Sequence, residues 1–355
     1  MDNEELLKRL KMVRKPKQTR TAKDYLSTGS TLLNCALTGS PFWGFGKGDY
    51  VFLVGDSMSG KTWLSLTMFA EASRRRAFKD YQFIFDQPEA GALMDIEFFF
   101  GKRAARRLGD PLNGISRTTQ EFYFNITDAM ERGPCLYVLD SMDALNDIDD
   151  VQQFEKMKKA HKSGKDSSGS YGTGKARTNS QGLRLVMDML QQTGSILLII
   201  SQTRENIGFG AQFNPKTRSG GKALRFYANV EVWTSVIGQL KKTVKKKERS
   251  IGSMVRADII KNRHNGQKHK IAIPIYTSYG MDNTGSCVDF LVDEGHWSKP
   301  KLTIDAHDLE LTGTRDNLIG SIEDNDMETV TAEIVGEVWN EIIDESRLDR
   351  KARYT

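Results

Sequence analysis

The sequence predicts an α/β fold in which a mostly parallel central sheet is flanked by helices. Three observations carry this reading. An apolar, β-prone run at 50–54 (YVFLV) leads into GDSMSGKT at 55–62, and the segment 62–76 then continues without Gly or Pro and closes on three arginines. Further apolar runs at 82–86 (QFIFD), 136–140 (LYVLD) and 195–202 (SILLIISQ) each end in a polar residue. Between these runs, 118–131, 151–162 and 181–192 read as helices. Buried strands that alternate with helices form a parallel sheet covered on both faces, and such sheets place their chemistry at the C-terminal strand ends.

Composition narrows the class. The chain has 355 residues, 38% hydrophobic and 27% charged, with a net charge of +5, as expected of a soluble globular protein of one large domain with appendages or two domains. No apolar run approaches the ~18 residues of a membrane span, and the first residues, MDNEELLKRLKMVRK, lack the apolar segment of a secretory signal. Cys35, Cys135 and Cys287 are odd in number and lie far apart, which argues against a zinc site or disulfide framework and for a reducing compartment.

Along the chain, Leu6, Leu7, Leu10 and Val13 mark one face of a short helix that packs on the core or on a neighbouring subunit, and 14–23 is a basic linker. Residues 27–49 are turn-rich and feed the first strand. The Gly, Ser and Lys-rich stretch 163–180 and the stretch 203–222 read as two long loops. Strands follow at 230–237, 254–263 and 270–276, with the basic run 241–249 joining the first two as either a DNA patch or a charged hairpin tip. From Asp305 acidic residues dominate, and Val330, Ile334, Val338 and Ile342 keep one apolar helical face. The expected divisions are 1–26 (helix and linker for subunit docking), 27–280 (core) and 281–355 (acidic, partly helical).

GDSMSGKT fits the pattern G-x-x-x-x-G-K-[ST], in which glycines let backbone N–H groups crowd around phosphate oxygens. Gly55, Asp56, Ser57, Met58, Ser59 and Gly60 would form that cradle, Lys61 would reach the β- and γ-phosphates of ATP, and Thr62 would ligate Mg²⁺. Asp140, closing an apolar strand, takes the second-carboxylate position on the metal. A base for water is sought among Asp86, Glu89 and Glu97, with Glu89 favoured because it lies just past its strand in QPEAG. Gln202 can hydrogen-bond a γ-phosphate and report it to the loop behind it. Lys165, Lys175 and Arg177 in the first loop, and Arg204, Lys216, Arg218 and Lys222 in the second, interleaved with Phe209 and Phe213, suit a nucleic-acid strand, because cations neutralise phosphates and aromatic rings stack on bases.

The order of these motifs resembles that of the RecA-type recombinases, the bacterial RecA proteins and their phage relatives. STGSTLLNCAL is similar to the family's entry segment, GDSMSGKT to its P-loop, LYVLDSMDAL to its second-carboxylate strand and IISQTRENIG to its switch. FNPKTRSGGKALRFYANVEVW is the most specific match, with Gly220 and Gly221 closing the DNA loop ahead of 223–228. RADIIKNRHNG resembles the strand whose basic pair, here Lys261 and Arg263, reaches the ATP of the adjacent subunit. The resemblance spans roughly 25–300. It departs where Glu89 follows Asp86 by three residues instead of two, and where both loops are longer. It implies a RecA-like ATPase core, an ATP- and Mg²⁺-dependent filament on single-stranded DNA, duplex DNA during strand exchange, possible single-strand-binding and mediator partners, and the cytoplasm of a bacterium or of a phage-infected host. The alternatives on the same core are a ring-forming helicase or other motor ATPase, and a DNA-binding scaffold that hydrolyses slowly.

Overall fold

The structure is a computed structural model of the chain and describes residues 20–89, 94–162, 174–205, 216–218 and 221–350. The expected N-terminal helix, Lys165, Phe209, Phe213 and Gly220 lie outside the described residues. Tyr25–Leu26 (β1) pairs antiparallel with Phe45–Gly46 (β2). Between them Thr31–Thr38 forms a helix (α1) in the stretch read from sequence as turns. Ser30 caps it by accepting from the Leu33 N–H at 3.3 Å, and Thr31 to Leu37 are all buried. A cap, burial of the whole helix and side-chain bonds from Asn34 to Ser27 and the Pro41 carbonyl therefore outweigh the turn-rich composition around it.

The central elements follow in order: Tyr50–Gly55 (β3), Lys61–Arg74 (α2), Gln82–Asp86 (β4), Ile96–Phe100 (α3), Lys102–Arg107 (α4), Leu108–Gly109 (β5), Thr119–Arg132 (α5), Cys135–Leu139 (β6), Ile148–Lys162 (α6), Gly174–Thr193 (α7), Ile196–Glu205 (β7), Lys216–Arg218 (β8), Lys222–Tyr227 (α8), Val230–Val244 (β9), Lys247–Asn262 (β10), Lys270–Tyr276 (β11) and Gly280–Met281 (β12). The main sheet has the order β12-β11-β10-β9-β3-β7-β6-β4-β5, with β8 added beside the end of β7. From β9 to β5 the strands are parallel. The strands β8, β10, β11 and β12 pair antiparallel.

Alternation along the strands splits the core into two apolar layers. Val51, Leu53, Phe83, Phe85, Leu136, Val138, Leu198 and Ile200 face one way, with Leu33 of α1 and Leu66, Met68 and Phe69 of α2. Tyr50, Phe52, Val54, Ile84, Tyr137, Leu139, Leu197 and Ile199 face the other, with Phe122 and Ile126 of α5, Leu183, Val186 and Leu190 of α7 and Leu224 of α8. Side chains alternate with period two, so a strand apolar at every position needs cover on both sides. Each such Leu, Ile or Phe stabilises the fold by about 2 kcal/mol.

The remaining chain is Asn283–Asp293 (α9), Thr303–Ala306 (β13), Leu311–Thr314 (β14), Arg315–Asp324 (α10) and Glu328–Glu345 (α11). It continues the first layer through Val288, Leu291, Trp297, Ile304, Leu318, Val335, Val338 and Trp339. The buried face of α11 is Thr331, Ala332, Ile334, Val335, Val338 and Trp339, whereas Val330, expected on the apolar face, is 45% exposed. The buried stripe takes in Trp339, whose ring packs against His269 and Phe290 at centroid distances of 5.0 and 6.0 Å.

The loop expected at 163–180 gives way at Gly174, where α7 begins. Its first turns are held by tertiary partners invisible in a local pattern: Thr178 Oγ1 donates to Asp147 Oδ2 at 2.8 Å, and the Tyr123 hydroxyl donates to Asn179 Oδ1 at 3.0 Å. The loop expected at 203–222 is likewise shorter, because β7 runs on to Glu205 and pairs with β8. The basic run 241–249 is the end of a long hairpin made by β9 and β10, which extend beyond the strands expected from sequence, and Lys241 to Ser250 are all exposed. Lys245 and Lys246 form its turn with φ of 50° and 62°.

Positive φ at two adjacent turn residues suits Asn-Gly and strains lysine. Replacing Lys245 by Asn together with Lys246 by Gly is expected to stabilise the chain by about 1 kcal/mol, read as a higher urea midpoint with unchanged m-value.

Candidate functional site

The parallel register sets Gly55 of β3 opposite Gln202 of β7 and Thr234 of β9, so the P-loop opens between two polar strand positions. Gly60 has φ of 80°, which strains any other residue, and a Cβ there would lie 2.6 Å from Ile275 Cδ1, so the end of that side chain would have to move. Ser59 Oγ donates to the Asp56 carbonyl at 2.7 Å and shares a hydrogen bond of 2.7 Å with Thr234 Oγ1. Lys61 Nζ lies within the loop, donating to the carbonyls of Gly55 at 3.0 Å and Asp56 at 2.5 Å. Thr62 Oγ1 donates to Asp140 Oδ2 at 2.6 Å, which ties the start of α2 to the end of β6. Met58 is 90% exposed at the rim.

Glu89 reaches this centre. Its Oε1 accepts from the Ser141 hydroxyl and from Gln202 Nε2, the latter at 3.2 Å. Of the other two carboxylates weighed as the base, Asp86 is fully buried and engaged: its oxygens accept from Ser116 N at 2.9 Å, Ser116 Oγ at 2.5 Å and the Tyr137 hydroxyl at 2.6 Å. Glu97 sits on α3 beside Lys102 at 3.7 Å. The extra residue between Asp86 and Glu89 thus does not prevent the loop from turning Glu89 inward.

Burial lowers the Lys61 ammonium from its ordinary value, against the opposing charges of Asp140, Asp56, Glu89 and Asp143. Burial raises the Asp140 carboxyl, and the nearby Glu89 charge adds to this, while Thr62 and Lys61 oppose it. Four carboxylates around one buried ammonium leave an excess of negative charge. Together with the hard oxygen donors Thr62 Oγ1 and Asp140 Oδ2, this fits an Mg²⁺ ion.

Two residues that the sequence reading missed connect the centre to β7. Asp143 Oδ2 accepts from the backbone N–H of Gln202 and from Ser201 Oγ, each at 2.7 Å. Thr203 Oγ1 hydrogen-bonds Asp56 Oδ1, joining the P-loop to the strand beyond Gln202. The available signal was a second carboxylate in DSMDAL, three residues past Asp140.

Lys261 and Arg263 are not at this centre. Lys261 Nζ donates to the carbonyls of Arg225 and Phe226 at 2.8 Å each, and Arg263 donates to the Phe226 carbonyl at 3.0 Å, at the end of α8. The N–H groups of Arg263 and Tyr50 bond the carbonyl and side-chain oxygens of Asn229, so the pair lies where β3 starts. Gly55 is five residues further along β3, roughly 17 Å at strand rise.

Of the basic segments, Lys175 and Arg177 stand on the first turns of α7, with Lys175 Nζ donating to the Leu145 carbonyl at 2.8 Å and Arg177 exposed. The backbones of Arg204, Lys216 and Arg218 lie in the β7–β8 ribbon. Lys222 is exposed at the start of α8. Gly221 has φ of 82°, and a Cβ there would lie 2.9 Å from Ala176 Cβ, so the ends of the two segments meet at this point.

A phosphate cradle between the first strand and helix of a parallel sheet, with carboxylates at neighbouring strand ends, defines a P-loop nucleotide-binding α/β protein. A family model described as the RecA N-terminal domain matches residues 7–282, and the chain belongs to the RecA-type recombinase family. It is 29% identical over 307 residues to protein RecA of Rhizobium rhizogenes, covering 84% of this chain and 76% of that protein. It is 28% identical over 285 residues to protein RecA of Acidothermus cellulolyticus (78% and 73%). It is 30% identical over 285 residues to protein RecA of Corynebacterium efficiens (78% and 65%).

Asp86→Ala would strand the buried donors of Ser116 and Tyr137. It is expected to cost about 3 kcal/mol in chemical denaturation while nucleotide binding persists below the melting transition. A variant as stable as the parent would return Asp86 to the candidates for the base.

Proposed function

We propose that this chain is a DNA-dependent ATPase that forms a helical filament on single-stranded DNA and promotes homologous pairing and strand exchange. The observation that carries the reading is the distance between the two halves of its site. Glu89, Gln202, Lys61 and Thr62 gather at one end of the sheet, while Lys261 and Arg263 wait at the other. One copy cannot join them, but consecutive copies in a polar filament can.

Lys61 moves from the loop carbonyls to the β- and γ-phosphates, and the cradle 55–60 binds the remaining phosphate oxygens. Thr62 and Asp140 would hold Mg²⁺, which neutralises charge developing on the phosphates. Glu89 accepts a proton from the attacking water. Gln202 Nε2, bonded to Glu89 here, transfers to the γ-phosphate and releases that carboxylate for its task. Because Asp143 fixes the Gln202 backbone, the shift passes into β7, and through the β7–β8 ribbon to the DNA-contacting segment around 203–222. Lys175, Arg177, Arg204, Lys216, Arg218 and Lys222, with Phe209 and Phe213, would grip the strand by phosphate contact and stacking. Cations supplied in trans at the γ-phosphate typically accelerate such reactions by about 10³–10⁵-fold. The cytoplasm of a bacterium or of a phage-infected cell is the setting this activity implies.

Glu89→Gln is expected to lower ATP turnover by about 10²–10⁴-fold with nucleotide binding retained; an unchanged rate would remove Glu89 as the base. Electron microscopy with single-stranded DNA and a slowly hydrolysed ATP analogue should show helical filaments, and strand exchange should require ATP. Closed rings with duplex unwinding would instead identify a motor helicase.

The Lys261 ammonium is pushed down to about 8, first by burial and then by the like charges of Arg263 and Arg225, with Glu231 opposing. A γ-phosphate brought against it favours the charged form, so assembly takes up a proton and weakens as pH rises through about 8. Filament formation, followed by light scattering across that range, should fall in the parent and stay flat in Lys261→Arg.

A further inference from the structure

We propose that His296, His307 and Asp308 form a binding site for one divalent transition-metal ion of the zinc, cobalt or nickel class. The site is remote from the nucleotide centre in sequence and sits where α9 gives way to the β13–β14 hairpin. His296 Nε2 lies 2.9 Å from Asp308 Oδ2, and His307 Nε2 lies 3.4 Å from Asp308 Oδ1. The two imidazole rings are 5.2 Å apart, and one donor atom from each of the three residues falls within 4.8 Å of the others. Around a tetrahedral ion with metal–nitrogen bonds of about 2.0–2.1 Å, donor atoms stand about 3.3 Å apart. The two His–Asp spacings already stand near this value, and the remaining donor pair, within 4.8 Å, closes by at most about 1.5 Å through side-chain rotation to share an ion.

The backbone that carries these groups is fixed. Trp297, between the two segments, is 1% exposed, and its N–H donates to the Leu291 carbonyl at 2.9 Å. Its indole Nε1 donates to Asp308 Oδ2 at 2.8 Å, holding the carboxylate toward the imidazoles. An outer donor that orients a ligating carboxylate is a regular part of metal sites. Asp305 N–H donates to the Ser298 carbonyl at 2.9 Å, which closes the loop carrying His296 onto β13. Leu309 is buried immediately after Asp308 and anchors that turn.

The donor set selects the ion. Two imidazoles and one carboxylate suit zinc, cobalt, nickel or copper, whereas Mg²⁺ prefers oxygen donors. The His307 side chain is 57% exposed, against 29% each for His296 and Asp308, so the fourth position faces water. An ion here would staple the exit of α9 to the turn between β13 and β14, adding a cross-link to a part of the chain built from short strands. The site does not depend on the nucleotide reading.

The test is a Co²⁺ titration of the full chain in excess Mg²⁺, which saturates the oxygen-donor site, followed by visible ligand-field absorption and checked by equilibrium dialysis with Zn²⁺. The expected result is one saturable equivalent whose affinity falls at least about tenfold in His307→Gln and in Asp308→Asn, and is unchanged in His269→Gln. Zn²⁺ should raise the melting temperature of the parent and not of His307→Gln, an exposed substitution that leaves the fold intact. Uptake that does not saturate, or that is equal in the parent and His307→Gln, would overturn the proposal.

Discussion

The register of β3 between β7 and β9 is the constraint on which the nucleotide centre depends. It sets Gly55 level with Gln202 on one side and Thr234 on the other. A slip of one residue would turn Gln202 to the opposite face and set Trp233 or Ser235 in the place of Thr234. That register is locked by apolar residues on both faces: Val51 and Leu53 belong to one layer, Tyr50, Phe52 and Val54 to the other. The ordinary packing of the sheet interior thus aligns the polar groups at its edge, and no polar interaction has to supply the alignment itself.

From that edge the contacts form a chain. Thr62 bonds Asp140, Ser141 bonds Glu89, Glu89 bonds Gln202, and Asp143 bonds the backbone of Gln202. Each joins a different strand end, so a change at the phosphate cradle is felt in β4, β6 and β7 together. The basic pair of Lys261 and Arg263 is excluded from this chain and anchored to the end of α8. The two ends of the sheet thus carry different parts, the phosphate cradle at one and the basic pair at the other.

Much of this was legible in the sequence because it is local. GDSMSGKT is a contiguous pattern, and the runs at 50–54, 82–86 and 136–140 are continuous apolar segments that fall within a residue of β3, β4 and β6. What was not legible depends on distant partners. The start of α7 is fixed by Asp147 and Tyr123, and Asp143 acts through a backbone N–H some sixty residues away. The outer half of the β9–β10 hairpin has solvent on both faces, so no alternation betrays it. In α11 the buried face takes in Thr331 and Trp339, which a count of aliphatic residues overlooks.

The close approach of Gly221 to Ala176 bears on how this protein can vary. A Cβ added at Gly221 would lie 2.9 Å from Ala176 Cβ, so the starts of α7 and α8 meet at one pair of small residues with little room between them. Bulk added at either residue would push the starts of these two helices apart, so substitution is accommodated away from this pair and not at it.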